Sequence, residues 1–420
     1  MNRAVLRKTV AARIDGLAEH AAGVLMDLIR FPSVCGDEMG AIARIEGLLE
    51  AAGFEPELVP LDASIAGHPE YTPYAAEPGW EGRGNLVTPF GGHGDGRSLI
   101  LNGHMDVVPA GSWREAFEPA REGDTIRGRG AADAKGGVVA EYLAVKALRE
   151  CGVRLSGRLR LHTVIDEETG GNGTLSLLAT GHTADGAIVA ECTGNAICPA
   201  NRGALWFQLT TTGVSAHMGE IDNGVSAIEK ANQAIAILKE YERHLIEHFM
   251  DHPYFRDLPH RPIQLCIGMM RAGEWPSKVP DRCEVEGGIG FLPNKDIEDV
   301  KDEMRQWIRD KGDDWLRDHF ELRYERLHNA AFEIPSEHPL VRCVCGAATA
   351  AGLSERVQGW SVSCDARLFP QVAGMPVVTV GPGQLARAHS GDERIELQEI
   401  LRAAKLYALA AMDWCGVEGP

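Results

Sequence analysis

Several short apolar runs in this chain end on a histidine or an acid, and that pattern restricts the fold more than any other feature. Ser98–Asn102 (SLILN) leads into Gly-His104-Met-Asp106, and Arg158–Ile165 (RLRLHTVI) runs into Asp166-Glu167-Glu168. Gly186–Ala190 (GAIVA) ends on Glu191, and Pro376–Val380 (PVVTV) precedes the Gly-Pro-Gly turn at Gly381–Gly383 and then His389. Short apolar runs bounded by turn residues read as buried strands. Val138–Glu150 has helical periodicity and follows the loop GRGAADAKGG, which holds Asp133. This order predicts an α/β fold with a mixed, mostly parallel sheet sandwiched by helices. In an open α/β sheet the carboxyl ends of the strands face the ligand crevice. His104, Asp106, Asp133, Glu167, Glu168, Glu191 and His389 can therefore converge although they are far apart in the chain.

The pattern changes after about residue 200. Ala204–Thr212 and Cys283–Phe291 read as strands, Ser226–Glu247 as a long helix and Ile297–Lys311 as a charged amphipathic helix. The α/β pattern resumes from about Pro335. A smaller α+β unit thus interrupts the larger one.

The formal net charge of -18 argues against a nucleic-acid or anionic-membrane partner, because phosphates would be repelled. No apolar stretch is long enough to span a bilayer. The N-terminal segment carries charges between its apolar residues, so a signal peptide is not expected. The 10 cysteines are scattered, without a C-x-x-C pair, which suits reduced thiols in a cytoplasmic protein. Histidines with carboxylates, and no soft thiolate, suit zinc, cobalt or manganese. Glu167 and Glu168 are neighbours at a strand end and point in different directions. One can ligate a metal while the other serves as a general base, and their proximity raises one pKa.

The segments GHMDVVP (Gly103–Pro109), GRGAADAKGG (Gly128–Gly137), DEETGG (Asp166–Gly171), AECTG (Ala190–Gly194) and AHSGDE (Ala388–Glu393) resemble, in order, the motifs of the M20 metallopeptidase family. That family includes acetylornithine deacetylase, succinyl-diaminopimelate desuccinylase, aminoacylases and dipeptidases. The resemblance implies two divalent metal ions per subunit, zinc first, with cobalt or manganese as alternatives. His104 and Glu191 would hold one, Glu168 and His389 the other, and Asp133 would bridge them. Asp106 would fix the tautomer of His104, and Glu167 would be the general base and acid. A cis peptide is expected at Asp133–Ala134. The resemblance also implies a discontinuous catalytic domain over residues 1–201 and 327–420, with a lid and dimerisation domain over 202–326. GVSAHMGEIDNGVSAIEKA (Gly213–Ala231) resembles the lid segment whose histidine reaches an oxyanion across a homodimer interface, which points to His217.

Two departures bear on the substrate. Many deacylases of the family carry an Arg-x-x-Pro strand whose arginine grips the substrate carboxylate. The matching stretch here is GGIGFLPN, with Gly290 in that place, and Ser277 in PSKVPD stands where many members have Asn. Arg202, Ser277 and Arg367 are candidates for substrate binding in their stead, and Arg282 and Lys278 are further cations to consider. The first expectation is an amide-bond deacylase acting on a small N-acyl amino acid or related compound through metal-activated water. An aminohydrolase releasing ammonia from an aromatic or heterocyclic amine, a dipeptidase, and a non-catalytic binding protein on the same fold are the competing readings.

Overall fold

A computed structural model of the chain describes residues 2–74, 78–92, 94–258 and 261–418. The chain divides into two compact units. The first comprises residues 1–199, 334–358 and 364–420, and the second residues 200–333 and 359–363.

The first unit is built on a mixed sheet. At its centre the strand Leu99–His104 pairs in parallel with Arg158–Val164 on one side and Ala187–Val189 on the other, and Val377–Thr379 continues the parallel set. Antiparallel strands flank this centre: Gly84–Gly91 and Glu57–Pro60 on one margin, Ile197–Asn201 on the other. The expected helix-covered mixed sheet is present, with its parallel part confined to the middle. Leu99–His104, Ala187–Val189 and Val377–Thr379 are buried along their whole length because both faces are covered, whereas Arg158–Val164 opens with an alternation of arginine and leucine. Leu86, Leu99, Leu101 and Leu161 point into the large core built with helices Ala18–Ile29, Lys135–Glu150 and Leu397–Trp414. Val87 and Val164 point the other way, onto Leu177 of helix Asn172–Ala179.

The parallel strands run in one direction, so their carboxyl ends share one edge of the sheet. His104 is the last residue of its strand, Glu191 is the second residue after Val189 and Glu167 the third after Val164. Asp133 lies just ahead of helix Lys135–Glu150, and the Asp133–Ala134 peptide is cis.

The second unit is an antiparallel sheet in the order Leu265–Ala272, Arg282–Phe291, Gly203–Thr212, Phe320–Arg323. Helices Ala227–Phe249 and Ile297–Lys311 pack on one face, where Leu205, Phe207, Leu209, Val285 and Ile289 meet Ala231, Leu238, Tyr241, Val300 and Met304. Ser226 caps the first helix by accepting from the Glu229 amide, and Asp296 caps the second by accepting from Glu298. Among the described residues no helix is long and apolar enough to cross a membrane.

Leu101 is fully buried in the central strand. Leu101→Ala should lower unfolding free energy by about 3 kcal/mol in a denaturant titration. A loss under about 1 kcal/mol would contradict the packing described.

Candidate metal centre

The predicted acids and histidines of the first unit meet at the sheet edge, around Asp133. One of its carboxylate oxygens lies 3.2 Å from His104 Nε2 and the other 3.3 Å from His389 Nε2. His389 Nε2 is also 3.0 Å from Glu168. The donor atoms fall into overlapping groups, each drawn within 4.8 Å: His104 with Glu167 and Glu191, Asp133 with Glu168 and His389, and Asp133 with Glu191 and Cys192. Cys192 follows Glu191 directly, and the sequence pattern did not single it out. Burial pushes its thiol far up, aided by the charges of Asp133 and Glu191.

Each side chain is held from behind. Asp133 sits in a loop whose amides at Ala132 and Asp133 donate to one oxygen of Glu393, at 3.0 and 3.1 Å. The other Glu393 oxygen accepts from Arg129 at 2.7 Å. His104 Nδ1 lies 3.0 Å from the main-chain carbonyl of Asp106 and 3.5 Å from its carboxylate. Both the carbonyl and the carboxylate of Asp106 thus face Nδ1, and Asp106 Oδ2 also ties down the acidic turn by accepting from the Glu168 amide at 3.0 Å. That turn begins at Asp166, a non-glycine residue with φ of 67°. Its carboxylate is held by Arg83 and by the Tyr74 hydroxyl, and Arg83 is shared with buried Glu38. Gly381 allows the turn before His389 to close on Glu191, because a Cβ there would lie 2.5 Å from the Glu191 carbonyl oxygen.

Asp365 is a residue that sequence reasoning missed. It is buried, accepts from the Thr174 hydroxyl at 2.5 Å, and its charge acts on both Glu167 and Glu191. Only its place in CDARLFP, two residues before the arginine considered above, hinted at it.

Carboxylates outnumber cationic side chains here, and burial makes that costly. Glu167 and Glu191 are pushed well above the usual carboxylate range, first by burial, then by Glu191 on Glu167 and by Asp133 on Glu191. Glu168 rises to about 7, through burial and the charge of Asp133. Burial also works against Asp133 as an anion, but hydrogen bonds with His104 and His389 hold its pKa low. Hydrogen bonds to Asp133 and Glu168 lift His389 to about 10. Buried carboxylates crowded around two imidazoles are a donor set that fits divalent cations, which would supply the missing positive charge.

The remaining candidates are placed otherwise. Arg367 is enclosed: its guanidinium donates to the Gly170 carbonyl at 3.1 Å and pairs with Glu70, so it braces the acidic turn instead of offering a free fork to substrate. His217, Ser277 and Arg202 belong to the second unit. His217 caps a short helical turn by accepting from the Gly219 amide at 3.1 Å, and Ser277 lines the same shallow recess with Trp275 and Lys278. Lys278 pairs with Glu274 and Arg282 with Glu284. Arg202 lies over Gly290: a Cβ added to Gly290 would stand 2.3 Å from its Nη1.

The mixed α/β fold and the cluster of histidines and acids define a class of hydrolase that uses divalent metal ions. Residues 100–413 match the model of peptidase family M20/M25/M40, and the chain belongs to that family. It is a hydrolase of that family, of the kind that acts on amide bonds. It is 30% identical over 355 residues to an N-formyl-4-amino-5-aminomethyl-2-methylpyrimidine deformylase of Halalkalibacterium halodurans, covering 76% of this chain and 79% of the relative. It is 26% identical over 403 residues to an acetylornithine deacetylase of Photorhabdus laumondii, covering 92% and 95%. Among solved structures it resembles the Bacillus subtilis YXEP protein, described as a dinuclear metal binding peptidase, with a TM-score of 0.68 at 14% identity, covering 94% and 98%.

The raised groups Glu167, Glu168, Glu191 and His389 each hold more protons in the folded chain than in the unfolded one. For the acids, whose ordinary value is 4.5, this favours the fold at low pH and is lost as pH rises through the folded value. His389 adds the same sign between 6.5 and about 10. The metal-free protein should therefore lose thermal stability between about pH 5 and pH 8, and zinc should raise Tm more at the higher pH. A metal-free Tm that climbs across this range would contradict the charge excess.

Proposed function

We propose that the chain is a two-metal amidohydrolase that removes a small acyl group from an amine. The observation that carries this reading is Asp133, whose two oxygens face two different histidines at 3.2 and 3.3 Å. A carboxylate so placed suits a bridge between two ions, with His104 and Glu191 holding one and Glu168 and His389 the other. Bound divalent ions supply Lewis acidity toward a carbonyl and lower the pKa of water toward neutrality.

Glu167 is the acid left for proton transfer. Burial and the nearby Glu191 raise its affinity for a proton, which suits a group that takes one from water and returns it to a leaving amine. The charge of Asp365, which accepts from Thr174, acts on Glu167 in the same direction. The names of the two relatives, a deformylase and a deacetylase, support a small acyl group as the part removed.

In the second unit, Met218 and Ile221 are exposed in the segment that carries His217, and exposed Trp275 lines the same recess as His217. Apolar side chains at that density on a surface support contact with a partner. The partner in this reading is a second copy of the chain, which receives His217 as an oxyanion donor.

Glu167→Gln should lower kcat for a formyl- or acetylamine by at least about 100-fold while metal content measured by atomic emission stays unchanged. Retained turnover would remove Glu167 from the chemistry. Asp133→Ala should abolish turnover, and mixing Asp133→Ala with His217→Ala chains should restore part of it. Absence of recovery in dimers shown to exchange subunits would count against donation across an interface.

A further inference from the structure

The loop after the strand Ala187–Val189 brings a sulfur atom to the metal centre. Cys192 follows Glu191, and the Thr193 amide donates to the Glu191 carbonyl at 2.7 Å, so the chain folds back in a three-residue turn centred on Cys192. Neighbours in an extended strand point to opposite faces. The turn lets Glu191 and Cys192 face the same centre instead. The Thr193 hydroxyl holds this turn, donating to the Ala196 carbonyl at 2.8 Å and accepting from the Gly381 amide at 3.1 Å. Gly383 then lies against the Asp133 loop: its φ is 90°, and a Cβ there would stand 3.0 Å from Ala132 Cα.

The Cys192 sulfur thereby comes within 4.8 Å of carboxylate oxygens of Asp133 and Glu191. It is buried, and a buried thiol ordinarily packs as a small apolar group. The charges that act on this one, however, are those of Asp133, Glu191 and Glu393, all acids. Glu191 is 5% exposed, and among the described residues its carboxylate accepts no hydrogen bond. Cys35, grouped with Glu38 and Asp166, is the contrast. There Arg83 pairs with both carboxylates and balances their charge. Among the described residues no arginine or lysine does this for Asp133, Glu191 and Cys192. Zinc bonds sulfur at about 2.3 Å and carboxylate oxygen at about 2.1 Å, so donors this close reach one ion by rotation of their side chains alone.

We propose that Cys192 is a ligand of the ion held by His104 and Glu191, and that its sulfur makes this position select zinc over manganese. The proposal rests on the two-metal reading of the centre. When the sulfur–zinc bond forms, the thiol proton leaves to solvent. The position of Glu168 and His389 offers only nitrogen and oxygen donors, which suit manganese as well. The two positions therefore differ in kind.

X-ray absorption at the zinc edge of the full-length, zinc-loaded protein should show sulfur at about 2.3 Å, averaging half a neighbour per zinc because one thiolate serves one of two ions. Cobalt in place of zinc should give a near-ultraviolet thiolate-to-cobalt absorption band. Both signals should vanish in Cys192→Ser and persist in Cys364→Ser, Cys364 being another buried thiol on which Glu191 acts. In titrations against a competing chelator, Cys192→Ser should weaken zinc binding at least about ten-fold and change manganese binding less than about two-fold. Should Cys192→Ser fail to fold, the wild-type and Cys364→Ser spectra decide. Zinc with nitrogen and oxygen neighbours alone, a sulfur signal that survives Cys192→Ser, or one lost in Cys364→Ser would overturn the proposal. Two zinc ions bound per chain would in each of those cases leave the two-metal reading standing. A single zinc per chain would be the failure of that reading, and a whole sulfur neighbour on that zinc, lost in Cys192→Ser, would still support the thiolate.

Discussion

The crowding of buried carboxylates about Asp133 is the constraint on which the rest of the first unit depends. Like charges this close and this enclosed destabilise a fold unless protons or cations neutralise them. The chain brings them together all the same, and it commits much of its buried hydrogen bonding to doing so. Glu393 with Arg129 fixes the Asp133 loop, Arg83 with Glu38 fixes the start of the acidic turn, and Asp106 ties that turn to the His104 loop. A fold that holds its acids this firmly ahead of any ligand has lowered the reorganisation needed when cations bind, and preorganisation of that kind is how an electrostatic site acts on a reaction.

The topology makes this possible. Parallel strands deliver His104, Glu167 and Glu191 to one edge, and the helix that follows Asp133 packs on the strand that ends at His104. The hydrophobic core and the metal centre are two ends of the same strands: Leu99 and Leu101 anchor what His104 presents. The second unit is organised differently. Its helices cover one face of an antiparallel sheet, and its open face carries aromatic and cationic groups.

The strands that end at the site were legible because apolar runs and turn residues mark them locally. Arg158–Ile165, Gly186–Ala190 and Pro376–Val380 each lose one residue at one or both ends, and Ser98–Asn102 shifts furthest, to Leu99–His104, because Gly103 and His104 keep pairing with Thr163 and Val164. Gly84–Gly91 was not anticipated, since a strand that opens and closes on glycine and contains Pro89 resembles a loop. Leu265–Ala272 carries a bulge at Gly268 that breaks its period. The residues that position the site were the least legible. Glu393 reaches a loop 261 residues earlier and Arg83 a turn 83 residues later, and no local pattern announces such pairs. Arg367 and Arg202 looked alike in sequence, as arginines near motifs. Only packing separates them: one is satisfied by Glu70 and Gly170, and the other is left with an unpartnered Nε beside a cavity.

Anomalous diffraction from crystals of the zinc-loaded protein tests the central claim most directly. The account predicts two zinc peaks in each chain, on opposite sides of the Asp133 carboxylate, one beside His104 and one beside His389. A single peak, or two peaks that do not share Asp133, would contradict it.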